Sequence, residues 1–335
     1  MELKNLIRTV NYHIGGEEYC FITDGVPSLK GDSMEEKMVF MRENYDHLRK
    51  AIMRAPRGNK DMFGGVITEP VSENGDCGIF YMGALTDSTY YPMCGSATVS
   101  LATMLVDTGK VPVSEPITEI TIDTPVGQVK SKVEVRDGQA EEVTYRNVPA
   151  FLSEREVEFE TEAFGKFQAD VGFGGGSFCV FVDEDEIGTK LSRDRIDEMV
   201  DPALEIIDRA NDKLDIQHPD NPNINSIDSC MYCGWHGDTA KELLVLGSGL
   251  VGRCPSGTGT PVRMIREMER GRVELGEEFV QTSMIDTSIK GELIREVKVG
   301  NLTGYLSEVT GRSYMTGIHE WVIEEDDPLK EGYVL

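Results

Sequence analysis

Two short segments with the same layout hold the residues best suited to chemistry. Cys94–Thr98 reads CGSAT and Ser256–Thr260 reads SGTGT, and a helical pattern follows each. A glycine, Gly109 or Gly271, ends each pattern 15 residues after the first residue, and a basic residue and a valine come next. The two units start 162 residues apart, close to half of the chain. This spacing predicts a duplicated α/β domain.

Small residues before a helix leave backbone N–H groups open to an anion, and the helix dipole adds to their attraction. Two such helix N-termini could hold one carboxylate. A cysteine at such a terminus is expected to have a pKa lowered towards neutral, because the thiolate is stabilised there. We therefore predict that Cys94 acts as a base on the carbon next to a bound carboxylate. The alternative is that Cys94 is only a small buried residue.

The elements that must position these segments are mostly strands. Runs with alternating or β-branched residues predict strands at Leu3–Val10, Val66–Thr68, Ile79–Tyr81, Glu119–Ile122, Gln128–Val135, Ala140–Tyr145, Phe178–Val182 and Glu242–Leu246. Helical spacing predicts long helices over Ser33–Ala55 and Ser192–Leu214, and Ser33 with Glu36 resembles a capping box.

Composition narrows the possible functions. The 335 residues suggest two domains, and 39% hydrophobic residues are enough for globular cores. A net charge of −26 repels phosphate backbones, which argues against nucleic acid and anionic membranes as partners. We find no apolar run long enough to span a bilayer, and no signal-peptide core at the N-terminus. Seven scattered cysteines fit a reduced protein, so we expect a cytoplasmic location.

The residues around both segments resemble a known family. Met93–Thr98 resembles the Met-Cys-Gly-His-Gly-Thr motif of the proline racemase superfamily, and Gly252–Thr260 resembles its Asp-Arg-Ser-Pro-Cys-Gly-Thr-Gly-Thr motif. Further matches run along the chain, at His13–Glu17, Arg57–Gly64, Arg146–Pro149, Phe173–Gly175, Thr310–Arg312 and Asp327–Leu329. The resemblance therefore covers the full length.

The resemblance implies an α/β (α+β) fold like that of diaminopimelate epimerase. Two pseudo-symmetric domains each form a mixed sheet or barrel around a central helix, with the active site in the cleft. We expect residues 1–130 plus about 305–335 to form the first domain, with Cys94, and residues 131–304 to form the second, with Ser256. The family includes proline racemases, hydroxyproline 2-epimerases and trans-3-hydroxyproline dehydratases. The resemblance also implies no cofactor, no metal, a small amino-acid substrate and a homodimer.

This chain departs from the family motifs at three positions. Ser256 replaces the second catalytic cysteine, Ser96 replaces a histidine and Gly252 replaces an aspartate. A serine hydroxyl is a poor base, so the Cys94 and Ser256 pair resembles the dehydratases, which need one proton abstraction. In the family, the replaced histidine and aspartate hold the ring nitrogen of the substrate. Either the substrate nitrogen makes no such bonds here, or other residues supply them.

Three functions stay open at this point. The first is a racemase or epimerase that uses Cys94 and Ser256 on a proline-like or hydroxyproline-like substrate. The second is a trans-3-hydroxyproline dehydratase, and the third is a catalytically silent relative that binds a carboxylate. The candidate residues for substrate binding are Gly95, Ser96, Phe63, Gly252, Gly257 and Thr258.

Three other patterns have weaker functional interpretations. Cys230 and Cys233 with His236 have metal-like spacing, but no second cysteine pair completes a zinc site, so we interpret them as part of a pocket wall. Gly174–Gly176 lacks the residues of a phosphate loop and is expected to be a turn near the substrate. Cys254 is either a displaced second thiol or a small residue in place of the family serine, and we favour the latter.

Overall fold

A computed structural model of the chain describes residues 6–85 and 90–335. The chain divides into two compact units. The first unit comprises Met1–Tyr145 and Arg312–Leu335, and the second comprises Arg146–Gly311.

Among the described residues, the first unit forms one sheet of nine strands with two helices. Its elements are β1 (Leu6–Ile14), β2 (Glu17–Asp24), α1 (Met34–Met53), β3 (Phe63–Thr68), β4 (Cys77–Gly83), the short β5 (Tyr90–Tyr91), α2 (Gly95–Asp107), β6 (Ile117–Thr124), β7 (Gly127–Arg136), β8 (Gln139–Arg146) and β17 (Ser313–Val322). The strand order is β17-β1-β2-β3-β4-β6-β7-β8, and β5 adds a short antiparallel pairing to β4. Of the strand pairs described in this unit, β2–β3 and β4–β6 are parallel, because α1 and α2 form the crossovers between them.

The second unit is a closed eight-stranded barrel. Its elements are β9 (Ala150–Thr161), β10 (Gly165–Phe173), β11 (Phe178–Asp183), α3 (Ile196–Lys213), β12 (Ile227–His236), β13 (Thr239–Leu246), α4 (Gly259–Glu269), β14 (Glu278–Thr282), β15 (Ser288–Val299) and β16 (Leu302–Gly311). Neighbours pair in numerical order from β9 to β16, and β16 pairs back to β9. The parallel pairs are β11–β12, around α3, and β13–β14, around α4.

The two units repeat the same succession of elements. In each, the second of two parallel crossovers contains the helix that follows the CGSAT or SGTGT segment. Nearly every residue of α2 and of α4 is buried, which makes each the central helix of its unit. These observations agree with the duplication and the mixed α/β fold expected from the sequence.

The glycines that end the two central helices have the same role. Gly109 has φ +64° and Gly271 has φ +71°, a left-handed conformation that glycine adopts without strain. The N–H of Lys110 donates to the carbonyl of Leu105, and the N–H of Arg272 donates to that of Glu267. Both ends are therefore C-caps of the kind predicted from the repeat.

The predicted elements are confirmed with small changes at their ends. Helix α1 begins after Ser33, and the capping box between Ser33 and Glu36 is present. The second long helix starts with a 3-10 turn at Arg193–Arg195 and continues as α3. Each predicted strand overlaps an observed one, and the part of the first prediction at residues 3–5 lies outside the described residues.

The observed unit boundaries fall later in the chain than the sequence suggested. They lie at 145/146 and 311/312, instead of 130/131 and about 304/305. Antiparallel pairing of β7 with β8 keeps residues up to 145 with the first unit. Pairing of β15 with β16 likewise keeps residues up to 311 with the second.

Candidate active site

Cys94 is the N-cap residue of α2. Its carbonyl oxygen accepts hydrogen bonds from both the N–H and the Oγ1 of Thr98, each at 2.9 Å. The Thr98 hydroxyl also lies 2.6 Å from the hydroxyl of the buried Tyr81. Hydrogen bonds from buried side chains thus hold the backbone of the CGSAT segment in place. The Cys94 sulfur makes no capping bond.

The Cys94 thiol is partly buried and protonated at neutral pH. Burial raises its pKa to about 11, although the backbone N–H of Ala97 and the hydroxyl of Tyr19, 4.0 Å from the sulfur, act to lower it. The charge of Glu17 raises it further. The prediction of a pKa near neutral was therefore wrong. The helix N-terminus lowers the pKa as expected, but desolvation outweighs it, and a sequence does not reveal desolvation.

A layer of aromatic rings lies beside the thiol. Tyr19 and Phe63 are paired on adjacent parallel strands, with ring centroids 6.2 Å apart. Phe63 also contacts Tyr91, at 5.8 Å. Because Tyr19 approaches the Cys94 sulfur, this layer connects Phe63, a candidate from the sequence, with the thiol.

Gly95 and Ser96 form the first turn of α2. Gly95 is buried, and Ser96 is partly exposed. The N–H of Ser96 also acts to lower the pKa of Cys94. Ser96, which stands at the position of the family histidine, therefore contributes its backbone to the environment of the thiol.

Ser256 has the same backbone frame at the start of α4. Its carbonyl oxygen accepts hydrogen bonds from the N–H and the Oγ1 of Thr260, at 2.9 and 2.7 Å. The side chains of Cys94 and Ser256 make different contacts. Ser256 Oγ accepts a hydrogen bond from the N–H of Gly259 at 2.9 Å, whereas the Cys94 sulfur makes no capping bond. The hydroxyl of Thr258 lies 3.4 Å from Ser256 Oγ. Ser256 lies two residues before Thr258, the N-cap residue of α4, and its hydroxyl therefore holds the turn that leads into the helix.

A buried carboxylate, that of Glu242, is hydrogen-bonded to the backbone of the Ser256 turn. Oε1 of Glu242 accepts the N–H of Ser256 at 2.5 Å, and its Oε2 accepts a hydrogen bond from the side-chain amide of Gln281. Glu242 is only 2% exposed. Burial raises its pKa to about 7, against the lowering effects of Gln281, Ser256 and Arg263.

The remaining candidates of the second unit lie around the same turn. A Cβ at Gly174 would come 2.0 Å from the carbonyl oxygen of Thr258, so the loop Gly174–Gly176 borders the start of α4, and only glycine fits there. Gly257 is buried within the turn. Gly252 follows β13, is partly exposed, and donates its N–H to the carbonyl of Leu244.

Cys230 and Cys233 lie on opposite faces of β12. Cys230 packs in the cluster that contains α3, and Cys233 packs in the cluster that contains α4. The hydroxyl of Tyr232 donates to the carbonyl of Met199 in α3, so this ring is a packing element. Within residues 6–85 and 90–335, no group of three or more His, Cys, Asp or Glu side chains is arranged to hold a metal ion.

Comparisons with known proteins agree with this architecture. The family model described as proline racemase matches residues 9–334. The chain belongs to the proline racemase family. The proline racemase of Clostridioides difficile is 36% identical over 338 residues, covering 100% of both chains. The trans-3-hydroxy-L-proline dehydratase of Azospirillum brasilense is 32% identical, also with 100% of both chains covered.

A solved structure is also similar over its whole length. The hydroxyproline epimerase from Agrobacterium vitis, with bound trans-4-hydroxy-L-proline, has a TM-score of 0.90 and 25% identity, and the match covers 100% of this chain and 96% of that one. The family and its named members are cofactor-independent racemases, epimerases or dehydratases that act on a small amino acid. Among the described helices, none combines the length and apolar character needed to cross a bilayer.

Two site residues were missed by sequence reasoning. Tyr19 sits in an alternating strand-like stretch, and Gln281 in a short strand that was not predicted. Glu242 carried a weak signal, since a charged residue opens an apolar run. Glu17 ends one of the segments that match the family, and its charge acts on the Cys94 thiol.

Proposed function

We propose that this chain is a racemase or epimerase that removes the α-proton of a proline-like or hydroxyproline-like amino acid with Cys94. The observation that carries this proposal is the Cys94 sulfur itself. It stands at the N-terminus of a central helix, makes no capping bond, and lies next to Tyr19. A thiol placed in this way is available for proton transfer, whereas the other six cysteines are buried.

In the proposed reaction, the Cys94 thiolate takes the proton from Cα, and the C–H electron pair delocalises into the carboxyl group. Desolvation, which raises the pKa of the thiol, also makes its thiolate a stronger base once formed. Return of a proton to the opposite face of Cα inverts the centre. The Ser256 hydroxyl is the proposed donor of that proton, and the alkoxide left on Ser256 regains a proton from water.

Dehydration of a trans-3-hydroxyproline is a second candidate, because the Ser256 hydroxyl accepts a hydrogen bond from Gly259 and is not a thiol. Here Cys94 again takes the α-proton. The electron pair left on Cα expels the β-hydroxyl, which leaves as water after it gains a proton. The enamine that forms then tautomerises to a ring imine. Only one base is required.

Proton NMR in D₂O distinguishes these reactions. L-Proline, the 4-hydroxyprolines and trans-3-hydroxy-L-proline are each incubated with the protein. Loss of the α-proton signal with an intact ring is the expected result and identifies a racemase or epimerase. Loss of the β-hydroxyl with new imine signals identifies a dehydratase instead. Unchanged spectra for every compound would overturn both candidates and support a silent carboxylate-binding relative.

The proposal includes a cytoplasmic homodimer. The seven cysteines, all without disulfide bonds, support a reduced compartment. Dimer formation is supported by the family resemblance, and sedimentation at micromolar concentration would test it. A monomeric mass would contradict it.

A further inference from the structure

A buried carboxylate contacts the second helix N-terminus, and the proposed reaction does not use it. Glu242 lies on β13, behind the Ser256 turn, and its Oε1 is 2.5 Å from the backbone nitrogen of Ser256. The Ser256 hydroxyl and carbonyl are bonded to Gly259 and Thr260. Glu242 therefore binds the N–H of Ser256, the third polar group of this residue. Together the three hydrogen bonds fix the orientation of the turn.

The same carboxylate brings a variable negative charge to a helix N-terminus. Backbone N–H groups at such a terminus attract anions, and a carboxylate already bonded there offsets that attraction. With a pKa raised to about 7 by burial, Glu242 is mostly neutral at pH 6 and mostly ionised at pH 9. The anion affinity of the turn is then expected to fall as the pH rises through this range.

The surroundings of Glu242 allow this change of charge. Arg263 of α4 is the cation that acts on it, and Gln281 of β14 is neutral. Arg263 also lies 3.6 Å from Glu267, so its charge is shared. The facing groups on β11 and β12 are Cys179 and Cys233, whose thiols have raised pKa values and stay neutral below pH 10.

We propose that Glu242 is a positioning residue, which holds the Ser256 turn and, through the charge on its carboxylate, sets how strongly the start of α4 binds an anionic substrate group. This inference rests on the proposed function, because it takes the substrate to be a carboxylate. It assigns a pH-dependent anion affinity to the turn at the start of α4.

The test replaces the charge but keeps the hydrogen bonds. In Glu242→Gln the amide oxygen still accepts the Ser256 N–H. The Gln281 oxygen has no hydrogen-bond partner, so rotation of that amide gives the new NH₂ group an acceptor. Values of KM and kcat for α-proton exchange are measured from pH 6 to pH 9 for both proteins. We expect the ratio of KM, wild type to variant, to rise about fivefold over this range, the effect of a charge at a helix terminus, without a matching change in kcat. A constant ratio would overturn the inference.

Two further variants keep the test decisive. Glu184→Gln removes another buried carboxylate, which accepts the N–H of Leu191 at 2.7 Å, and its KM ratio should stay constant with pH. A rise as large as that of Glu242→Gln would contradict a specific role for Glu242. Gln281→Met removes a hydrogen bond that lowers the Glu242 pKa, so the rise in KM should move to higher pH. An unmoved rise would likewise count against the inference.

Calorimetric titration with L-proline separates this inference from the proposed reaction. Binding that weakens from pH 6 to pH 9 in the wild type but not in Glu242→Gln, without any proton exchange, would overturn the reaction and support the role of Glu242. Proton exchange together with an affinity that stays constant from pH 6 to pH 9 would support the reaction and overturn the role of Glu242.

Discussion

The segments that lead into α2 and α4 share a pair of hydrogen bonds but use the side chains of Cys94 and Ser256 differently. In both, the carbonyl of the first residue accepts two hydrogen bonds from a threonine four residues later. The Cys94 sulfur takes no part in capping, whereas the Ser256 hydroxyl bonds Gly259. One copy of the repeat therefore leaves its side chain outside the helix cap, while the other uses its side chain to hold the turn before the helix. The thiol of Cys94 and the hydroxyl of Ser256 therefore differ in their contacts as well as in their acidity.

The pH dependence of thiol reactivity gives the largest expected effect. Because the pKa of Cys94 is raised to about 11, the thiolate fraction should grow about tenfold per pH unit below that value. Alkylation of Cys94 by iodoacetamide, followed by peptide mass, should therefore accelerate about a hundredfold from pH 8 to pH 10. A plateau near pH 8 would show that the thiol is much more acidic than its burial indicates.

Making the two helix starts alike should change the reaction. Ser256→Cys places a thiol in both copies, and epimerisation should then gain about tenfold or more, since a thiol is the better acid and base. The exchange rate of each enantiomer in D₂O measures this gain. Ser256→Thr, which keeps a hydroxyl, serves as the control. If Ser256→Cys gains nothing, the altered Ser96 and Gly252 positions limit the rate instead.

Two neighbours of Cys94 should shift its pKa in opposite directions. Glu17→Gln removes a charge that raises the pKa, so alkylation at pH 8 should be several-fold faster. Tyr19→Phe removes a hydrogen bond that lowers the pKa, so alkylation should be slower by a similar factor. Shifts of the same sign in both variants would contradict these contributions.

The smallest expected effect concerns stability. Ser256→Ala removes the hydroxyl that accepts the N–H of Gly259 at the start of α4, and the free energy of unfolding should fall by about 1 kcal/mol. Cys94→Ala removes no capping bond, so its loss should come from side-chain packing and from the contact with the Tyr19 hydroxyl. Urea unfolding of both variants measures the two values. An unaffected Ser256→Ala protein would argue against the structural use of this hydroxyl.

Much of this fold could be predicted from local patterns. The capping box at Ser33, the C-cap glycines Gly109 and Gly271, and the repeat itself depend on neighbours in sequence. Strand β9 was missed because the charged residues of Ala150–Thr161 mask its alternation.

The site was harder to predict, because its chemistry depends on distant residues. Cys94 and Ser256 follow from the repeat and from the family motifs. Tyr19 lies 75 residues from Cys94, and Glu242 lies 14 residues from Ser256. Their effects depend on burial and on strand pairing, which only the folded chain defines. For the same reason the predicted lowering of the Cys94 pKa was wrong.

The most direct test of the central claim is α-proton exchange in D₂O with Cys94→Ala beside Cys254→Ser. Cys254 is a buried thiol two residues before Ser256, so its replacement is a matched control. The account predicts that Cys94→Ala lowers the exchange rate by about a hundredfold or more, the usual contribution of a general base, while Cys254→Ser stays within a few-fold of wild type. Exchange that persists in Cys94→Ala would contradict the assignment of Cys94 as the base.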